Sequence, residues 1–209
     1  MSKVIFGFIG PPGSGKSTQA LLLAETLGCE VLNIGQELRS SSNKELEEIM
    51  KRGELVPDSF VLAIIKQKVK TLGEDDSLVL DGFFRNQNEV NKLAEMQREL
   101  RFQIGAVVDL SLSDQISIER LKKRGRKGEN EESIKIRLGV FKRERAAVVE
   151  VIKSQELSLI KVDAEPEVDV ISSRVLEELK DFIANDPAGS INKYEYFPMK
   201  AVVPNISNS

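Results

Sequence analysis

One stretch limits what this chain can fold into more than any other: Gly10-Pro11-Pro12-Gly13-Ser14-Gly15-Lys16-Ser17. It matches G-x-x-x-x-G-K-[ST], the phosphate-binding loop pattern. The apolar run over residues 4–9 before it has the length of a buried strand. After it, Ala20, Leu21, Leu23, Ala24 and Leu27 recur at helical spacing. Strand, glycine loop and helix are the context in which this pattern carries chemistry. The glycines let successive N–H groups turn into one concavity, and the positive end of the helix dipole faces the same point. Lys16 adds a cation for the β- and γ-phosphates, and the Ser17 hydroxyl stands where Mg²⁺ is held. Gly13, Ser14, Gly15, Lys16, Ser17 and Thr18 are thus the expected contacts to a nucleoside triphosphate.

The rest of the composition narrows the chemistry. No histidine occurs among the 209 residues, which removes histidine-based acid–base, nucleophilic and zinc catalysis. Whatever the chain catalyses must rest on positioning and charge. A net charge of −3 argues against nucleic acid as the main partner, so any cationic site is local. No apolar run is long enough to span a bilayer, and the first one is too short for a signal peptide. The single cysteine, Cys29, cannot form an internal disulfide and reads as a small buried residue. A cytoplasmic, monomeric protein with no membrane partner is the expectation.

Short apolar runs at residues 4–9, 29–32, 78–80, 104–110 and 157–162 read as strands separated by helical patterns. That alternation predicts an α/β fold, a parallel five-stranded sheet covered on both faces in three layers. Ligands in such folds sit beyond the carboxyl ends of the strands, where the glycine loop falls. Three helices, at 34–41, 45–51 and 58–72, stand where one crossover would suffice and suggest an inserted lobe that can move. The run Ser77-Leu78-Val79-Leu80-Asp81-Gly82 is a strand ending in an acid, and Asp81 is placed to order Mg²⁺ or its water. A basic stretch, Arg120-Leu121-Lys122-Lys123-Arg124-Gly125-Arg126-Lys127, precedes a long helix over 131–154 that carries Arg137. Beside a phosphate loop it reads as a flap bringing cations from another side. Residues 185–209 hold three of the seven prolines and both tyrosines and read as a tail.

Several of these stretches, in order, resemble the adenylate kinase family of nucleoside monophosphate kinases over about residues 4–182. Gly35-Gln36-Glu37-Leu38-Arg39 is similar to the segment whose arginine holds the monophosphate, and Gly53-Glu54-Leu55-Val56-Pro57-Asp58 to the turn whose backbone meets the acceptor nucleotide. Asp81-Gly82-Phe83-Phe84-Arg85 resembles the family's D-G-F-P-R. Arg120 and Arg124 match the start of the lid, Arg126 and Arg137 its phosphate-reaching arginines, and Val162-Asp163-Ala164-Glu165 the loop at the donor base.

The resemblance implies a P-loop kinase domain over 1–184, with an acceptor-binding insert at about 34–66, a short lid at about 121–136 and the tail beyond. It implies Mg·ATP in the loop, with Arg120, Arg124 and Ala164 beside it. A monophosphate would lie against Ile34, Arg39, Glu54, Val56, Gly82, Arg85, Glu89, Arg126 and Arg137. Lys16, Arg85, Arg124, Arg126 and Arg137 would carry transfer, with Ser17 and Asp81 at the metal. The monophosphate oxygen is already ionised, so no general base is needed.

The departures from the family concern the acceptor side and the lid. Phe84 stands where the family has proline, Gln36 for aspartate, Ile34 for threonine, and Gly128 and Glu129 for two aspartates. Glu89 replaces the glutamine that reads adenine, and an ionised carboxylate only accepts. Its chemistry suits guanine's N1–H and N2–H₂, and Arg85-Asn86-Gln87-Asn88 resembles a run in UMP–CMP kinases. AMP is the expected acceptor on overall similarity. GMP, UMP or CMP, or a nucleotide-binding regulatory protein with weak turnover, are the alternatives.

Lys16→Ala should lower phosphoryl transfer by roughly 100-fold or more, as loss of a charge-stabilising group does, with an unchanged circular dichroism spectrum. A folded variant with near-normal turnover would remove the loop from the mechanism.

Overall fold

The computed structural model describes residues 3–125 and 130–184. Five strands form one parallel sheet in the order β2-β3-β1-β4-β5: β1 is Lys3–Ile9, β2 Glu30–Asn33, β3 Ser77–Asp81, β4 Phe102–Ser111 and β5 Leu159–Asp163. The phosphate loop leaves the central strand, so neighbouring strand ends flank it. Eight helices are described: α1 Lys16–Leu27, α2 Ile34–Ser40, α3 Lys44–Arg52, α4 Asp58–Thr71, α5 Gln87–Leu100, α6 Asp114–Arg124, α7 Glu131–Ser154 and α8 Val168–Ala184. The three helices expected between β2 and β3 are α2, α3 and α4. Residues 126–129 and 185–209, with Arg126, Gly128, Glu129 and the expected tail, lie outside the described residues.

Alternation along the buried strands divides the core into two layers. Val4, Phe6 and Phe8 of β1 face α1 and α8, with Ala20, Leu23, Leu27, Ile171, Val175 and Leu179 opposite them. Ile5 and Ile9 face the other way, onto the layer of α4, α5 and α7. Gly7 lies between them on that face and adds no side chain. The Phe84 ring fills the space: a Cβ built on Gly7 would lie 2.1 Å from Phe84 Cε2. A third, small cluster of Leu121, Ile134 and Leu138 packs α6 on α7.

Two strands begin later than the apolar runs predict, and helix termination is the reason. Gly28 takes a left-handed φ of 61° at the end of α1, and the Cys29 N–H donates to Ala24 O at 2.9 Å. Cys29 therefore closes the helix and β2 starts at Glu30. At the end of α7, Glu156 has φ 57° and the Leu157 N–H donates to Ile152 O at 3.0 Å, so β5 starts at Leu159. At the other end β2, β3 and β5 each run on into a polar residue: Asn33, Asp81 and Asp163. Helix α7 starts as the sequence indicates, with Asn130 and Ser133 capping one another's backbone at 2.8 and 3.1 Å. Among the described residues no helix is long and apolar enough to cross a membrane.

The Gly7 notch is testable. Gly7→Ala forces a methyl into the Phe84 ring and should cost about 1–3 kcal/mol of stability, the range for overpacking, read as a lower urea midpoint at unchanged slope. Phe84→Leu in the same chain should recover part of that loss. Strictly additive losses would mean that the ring does not occupy the notch.

Candidate active site

The loop between β1 and α1 opens into a cleft of about 960 Å³ at the carboxyl ends of the strands. Gly10, Gly13 and Gly15 all have positive φ, as the turning loop requires. Lys16 Nζ sits inside the turn and donates to Gly10 O at 2.7 Å, Pro11 O at 2.8 Å and Ser14 Oγ at 3.4 Å. Helix α6 closes one side of the loop: the Ser117 hydroxyl donates to Pro12 O, and the Ser117 carbonyl lies 2.9 Å from where a Gly13 Cβ would stand.

Electrostatics single out Lys16. Withdrawal from water, the largest cause, lowers its ammonium pKa from 10.5 to about 7; Asp81 opposes this, while Arg85, Arg137 and Arg124 push it further down. Three guanidinium groups are thus near enough to be felt by one lysine. Asp81 is 4% exposed at the end of β3 and accepts from Asn33 Nδ2 at 2.5 Å. Asn33 also caps α2, its Oδ1 accepting from the Gln36 N–H at 2.8 Å. One asparagine thereby locks the first insert helix to the acid of the site.

The arginines reach the cleft across glycines. Gly82 follows Asp81 with φ 85°, and Arg85 Nη2 lies 2.9 Å from where its Cβ would be, with the Gly35 N 3.8 Å from the same point. Arg39 Nη1 lies 3.2 Å from the Cβ position of Gly35. Arg85 and Arg39 therefore converge from two elements onto one small patch of backbone. On the far side, Gly53 ends α3 with φ 82° and touches α7, its Cβ position 2.7 Å from Ser133 O and 2.9 Å from Arg137 Cγ. A side chain at Gly82 or Gly53 would meet both strain and a collision.

Most of the expected site residues line this one cleft: Gly13, Ser14, Gly15, Lys16, Ser17, Thr18, Arg39, Glu54, Asp81, Gly82, Arg85, Arg120, Arg124 and Arg137. Ser17 and Thr18 are exposed to it. Four others do not line it. Ile34, Val56 and Ala164 are buried in the packing just behind, at 0, 4 and 0% exposure. Arg120 holds that last region by donating to Ala164 O at 2.7 Å and Glu165 O at 2.9 Å.

The fourth, Glu89, is 2% exposed and its Oε2 accepts from the Arg85 N–H at 2.7 Å. Its carboxylate meets the backbone of the arginine turn rather than the cleft, because Asn86 caps α5 and orients Glu89 back toward that turn. The residue that sequence reasoning passed over is Asn33. Its signal was present: Asn33 precedes Gln36 by three residues, the spacing of a capping box.

The donor set suits a magnesium ion carried in by phosphates. Among the described residues no group of three or more histidine, cysteine or carboxylate side chains could hold a metal alone. Ser17 and Asp81 line the same cleft beside Lys16, and Mg²⁺ takes one or two protein oxygens while keeping water and phosphate.

Comparison with known proteins agrees with this geometry. The family model for adenylate kinase matches residues 8–157. An adenylate kinase of Synechococcus sp. (strain WH7803) is 41% identical over 174 residues, 80% of this chain and 94% of that protein. One of Synechococcus sp. (strain CC9902) is 39% identical over 82% of this chain and 96% of its own length. One of Prochlorococcus marinus (strain MIT 9515) is 36% identical over the same shares.

Glu89 gives the site a pH signature. Burial, the largest cause, and the nearby Asp58 raise its carboxyl pKa from 4.5 to about 7, against the pull of the Arg85 N–H and charge. The folded chain thus keeps a proton that the unfolded chain releases between pH 4.5 and about 7. Stability from this group is complete below 4.5 and lost as pH rises through 7, by about 3 kcal/mol at most. Glu89→Gln keeps an acceptor without the charge. It should be more stable than the parent at pH 8 by about 1–3 kcal/mol and no different at pH 4, measured by urea unfolding at both. An equal difference at the two pH values would refute the raised pKa.

Proposed function

The chain belongs to the adenylate kinase family of nucleoside monophosphate kinases, and from that premise we propose that it transfers the γ-phosphoryl group of ATP to AMP, ATP + AMP ⇌ 2 ADP, with Mg²⁺. The observation that carries this reading is the convergence of Arg85, Arg124 and Arg137 on Lys16, opposite a buried Asp81. Binding one triphosphate needs fewer cations than that. A phosphoryl group passing between two anions needs them on several sides.

In this mechanism the loop N–H groups and Lys16 hold the β- and γ-phosphates. Arg39 and Arg85 hold the acceptor phosphate, and Arg124, Arg126 and Arg137 close on the transferring group from the lid side. The acceptor oxygen attacks in line, and the arginines fix its distance and angle. No side chain has to take a proton. Arg120, tied by its edge to two carbonyls, offers its flat face to the donor adenine and holds Ala164 in the loop behind that base. Ile34, Glu54, Val56 and Gly82 shape the acceptor nucleoside's berth. Ser17 and Asp81 would hold Mg²⁺, Asp81 through water, and the bound ion would supply positive charge to offset that of the phosphates. Closure of the insert over residues 34–66 and the lid over 121–136 excludes water and suppresses hydrolysis. The Gly53 contact with Ser133 and Arg137 is where insert and lid helix already meet. The reaction belongs in the cytoplasm, carried out by a monomer.

A product assay by chromatography tests the reading. Protein and Mg·ATP are incubated with AMP, GMP, CMP or UMP in separate tubes, and with no acceptor. ADP should accumulate with AMP at a rate roughly tenfold or more above any other acceptor, a discrimination of about 1.4 kcal/mol or more. Faster conversion of another monophosphate would overturn the choice of AMP. Phosphate release from ATP alone, without diphosphate from any acceptor, would overturn transfer.

A further inference from the structure

The turn that carries Arg85 is held by side chains to which transfer chemistry gives no part. Phe84, just before it, has φ 59° and is 3% exposed. Its ring is wedged over Gly7 and set edge-on to Phe83, with centroids 4.9 Å apart. The next N–H, that of Arg85, donates to Glu89 Oε2. Glu89 is the third residue of α5, and its own N–H donates to Asn86 Oδ1 at 2.8 Å. Asn86 Nδ2 donates in turn to Asp58 Oδ1 at 2.8 Å, and Asn88 Nδ2 to Asp58 Oδ2 at 2.5 Å. Asp58 is the first residue of α4, in the insert. A run of hydrogen bonds therefore leads from the insert through Asn86 and Glu89 to the backbone of Arg85.

The consequence for Arg85 is geometric. An arginine has several rotatable bonds, and its guanidinium is aimed only if its backbone is held. Here the preceding ring is locked in a notch and the N–H is clamped, so the side chain leaves from one point and lies across Gly82. Glu89 is buried behind the cleft and does not line it. To meet a base, its bonded oxygen would have to release the Arg85 N–H and leave a backbone donor unsatisfied in a closed setting.

We propose that Glu89 is the positioning residue of Arg85, fixing the arginine's backbone beneath the transferring phosphoryl group and taking no part in reading the acceptor base. This rests on the kinase reading above, because it is Arg85 at the phosphoryl group that gives the clamp its purpose.

The experiment compares wild type, Glu89→Gln and Glu89→Ala in steady-state kinetics with AMP, GMP, CMP and UMP, together with hydrogen exchange at the Arg85 amide. Glutamine keeps an oxygen for the N–H, so its kcat should stay within about threefold of wild type and its acceptor ranking should not change. Alanine should lower kcat about 10- to 100-fold, the cost of a misplaced catalytic group, by one factor for all acceptors and with little change in KM. The Arg85 amide should stay protected in wild type and Glu89→Gln and exchange roughly tenfold faster or more in Glu89→Ala, as an opened hydrogen bond does. A changed acceptor ranking in either variant would overturn the proposal, as would wild-type kcat in Glu89→Ala. If the alanine variant does not fold, the ranking and exchange of Glu89→Gln decide it. If wild type forms no diphosphate from any acceptor, the kinase reading has failed. Amide exchange then decides the clamp alone, and equal protection in all three proteins would refute it.

Discussion

Mutual repulsion among Lys16, Arg85, Arg124 and Arg137 is the constraint that the rest of the structure answers. Like charges held close in a cleft push each other apart, and Arg85, Arg137 and Arg124 add to the burial that depresses the Lys16 pKa. Three of them are held by something other than their neighbours. Lys16 is caged by two loop carbonyls and faced by Asp81. Arg85 rides on a clamped turn. Arg137 rides on α7, which is anchored twice: Arg145 pairs with the buried Asp109 at the end of β4, and Lys142 pairs with Asp114 at the start of α6. A flexible set of cations would relax away from one another. A scaffolded set stays in place, as the proposed binding of polyanionic phosphate requires.

The same constraint explains why charged and polar side chains here so often bind backbone. Arg120 holds the carbonyls of Ala164 and Glu165, Glu89 holds the Arg85 N–H, and Asn33 joins a helix cap to Asp81. Each bond fixes a loop at the carboxyl edge of the parallel sheet. These loops connect elements that belong to different layers, so sheet packing alone does not set their conformation. Side-chain-to-backbone bonds supply the missing constraint at the points where the chain presents its cleft-lining cations.

The layering was legible in the sequence because it is local. Apolar runs of strand length, helical periodicity and the glycine loop are properties of short windows, and they found five strands and the three-helix insert. Strand starts were misread at Cys29 and Leu157, because an apolar residue that closes a helix through a left-handed neighbour looks like the first residue of a strand. The cleft-lining cations were legible through spacing and resemblance. The surroundings of Glu89 and Phe84 were not. Nothing near position 84 in sequence says that Gly7, on another strand, leaves a notch for its ring. Nothing near Glu89 distinguishes a carboxylate aimed at a base from one aimed at a backbone N–H four residues earlier. Such choices depend on non-local packing.

The Phe84 turn shows how a substitution at a functional loop can be accommodated elsewhere. A residue with φ near +60° is strained unless it is glycine, and a phenylalanine there is held only if its ring is strongly bound. Gly7 provides that binding by leaving one position on the core face of β1 empty of side chain, in a strand where Ile5 and Ile9 fill the neighbouring positions. A larger residue at Gly7 would expel the ring. The turn would then relax toward an ordinary φ, and the Arg85 N–H would rotate away from Glu89. The central strand thus does two things at once. Its carboxyl end delivers the phosphate loop, and its middle, through an absent side chain, holds the turn that delivers the arginine. Because both come from one rigid strand in the centre of the sheet, Lys16 and Arg85 are referenced to the same frame. The in-line transfer that we propose requires that common reference.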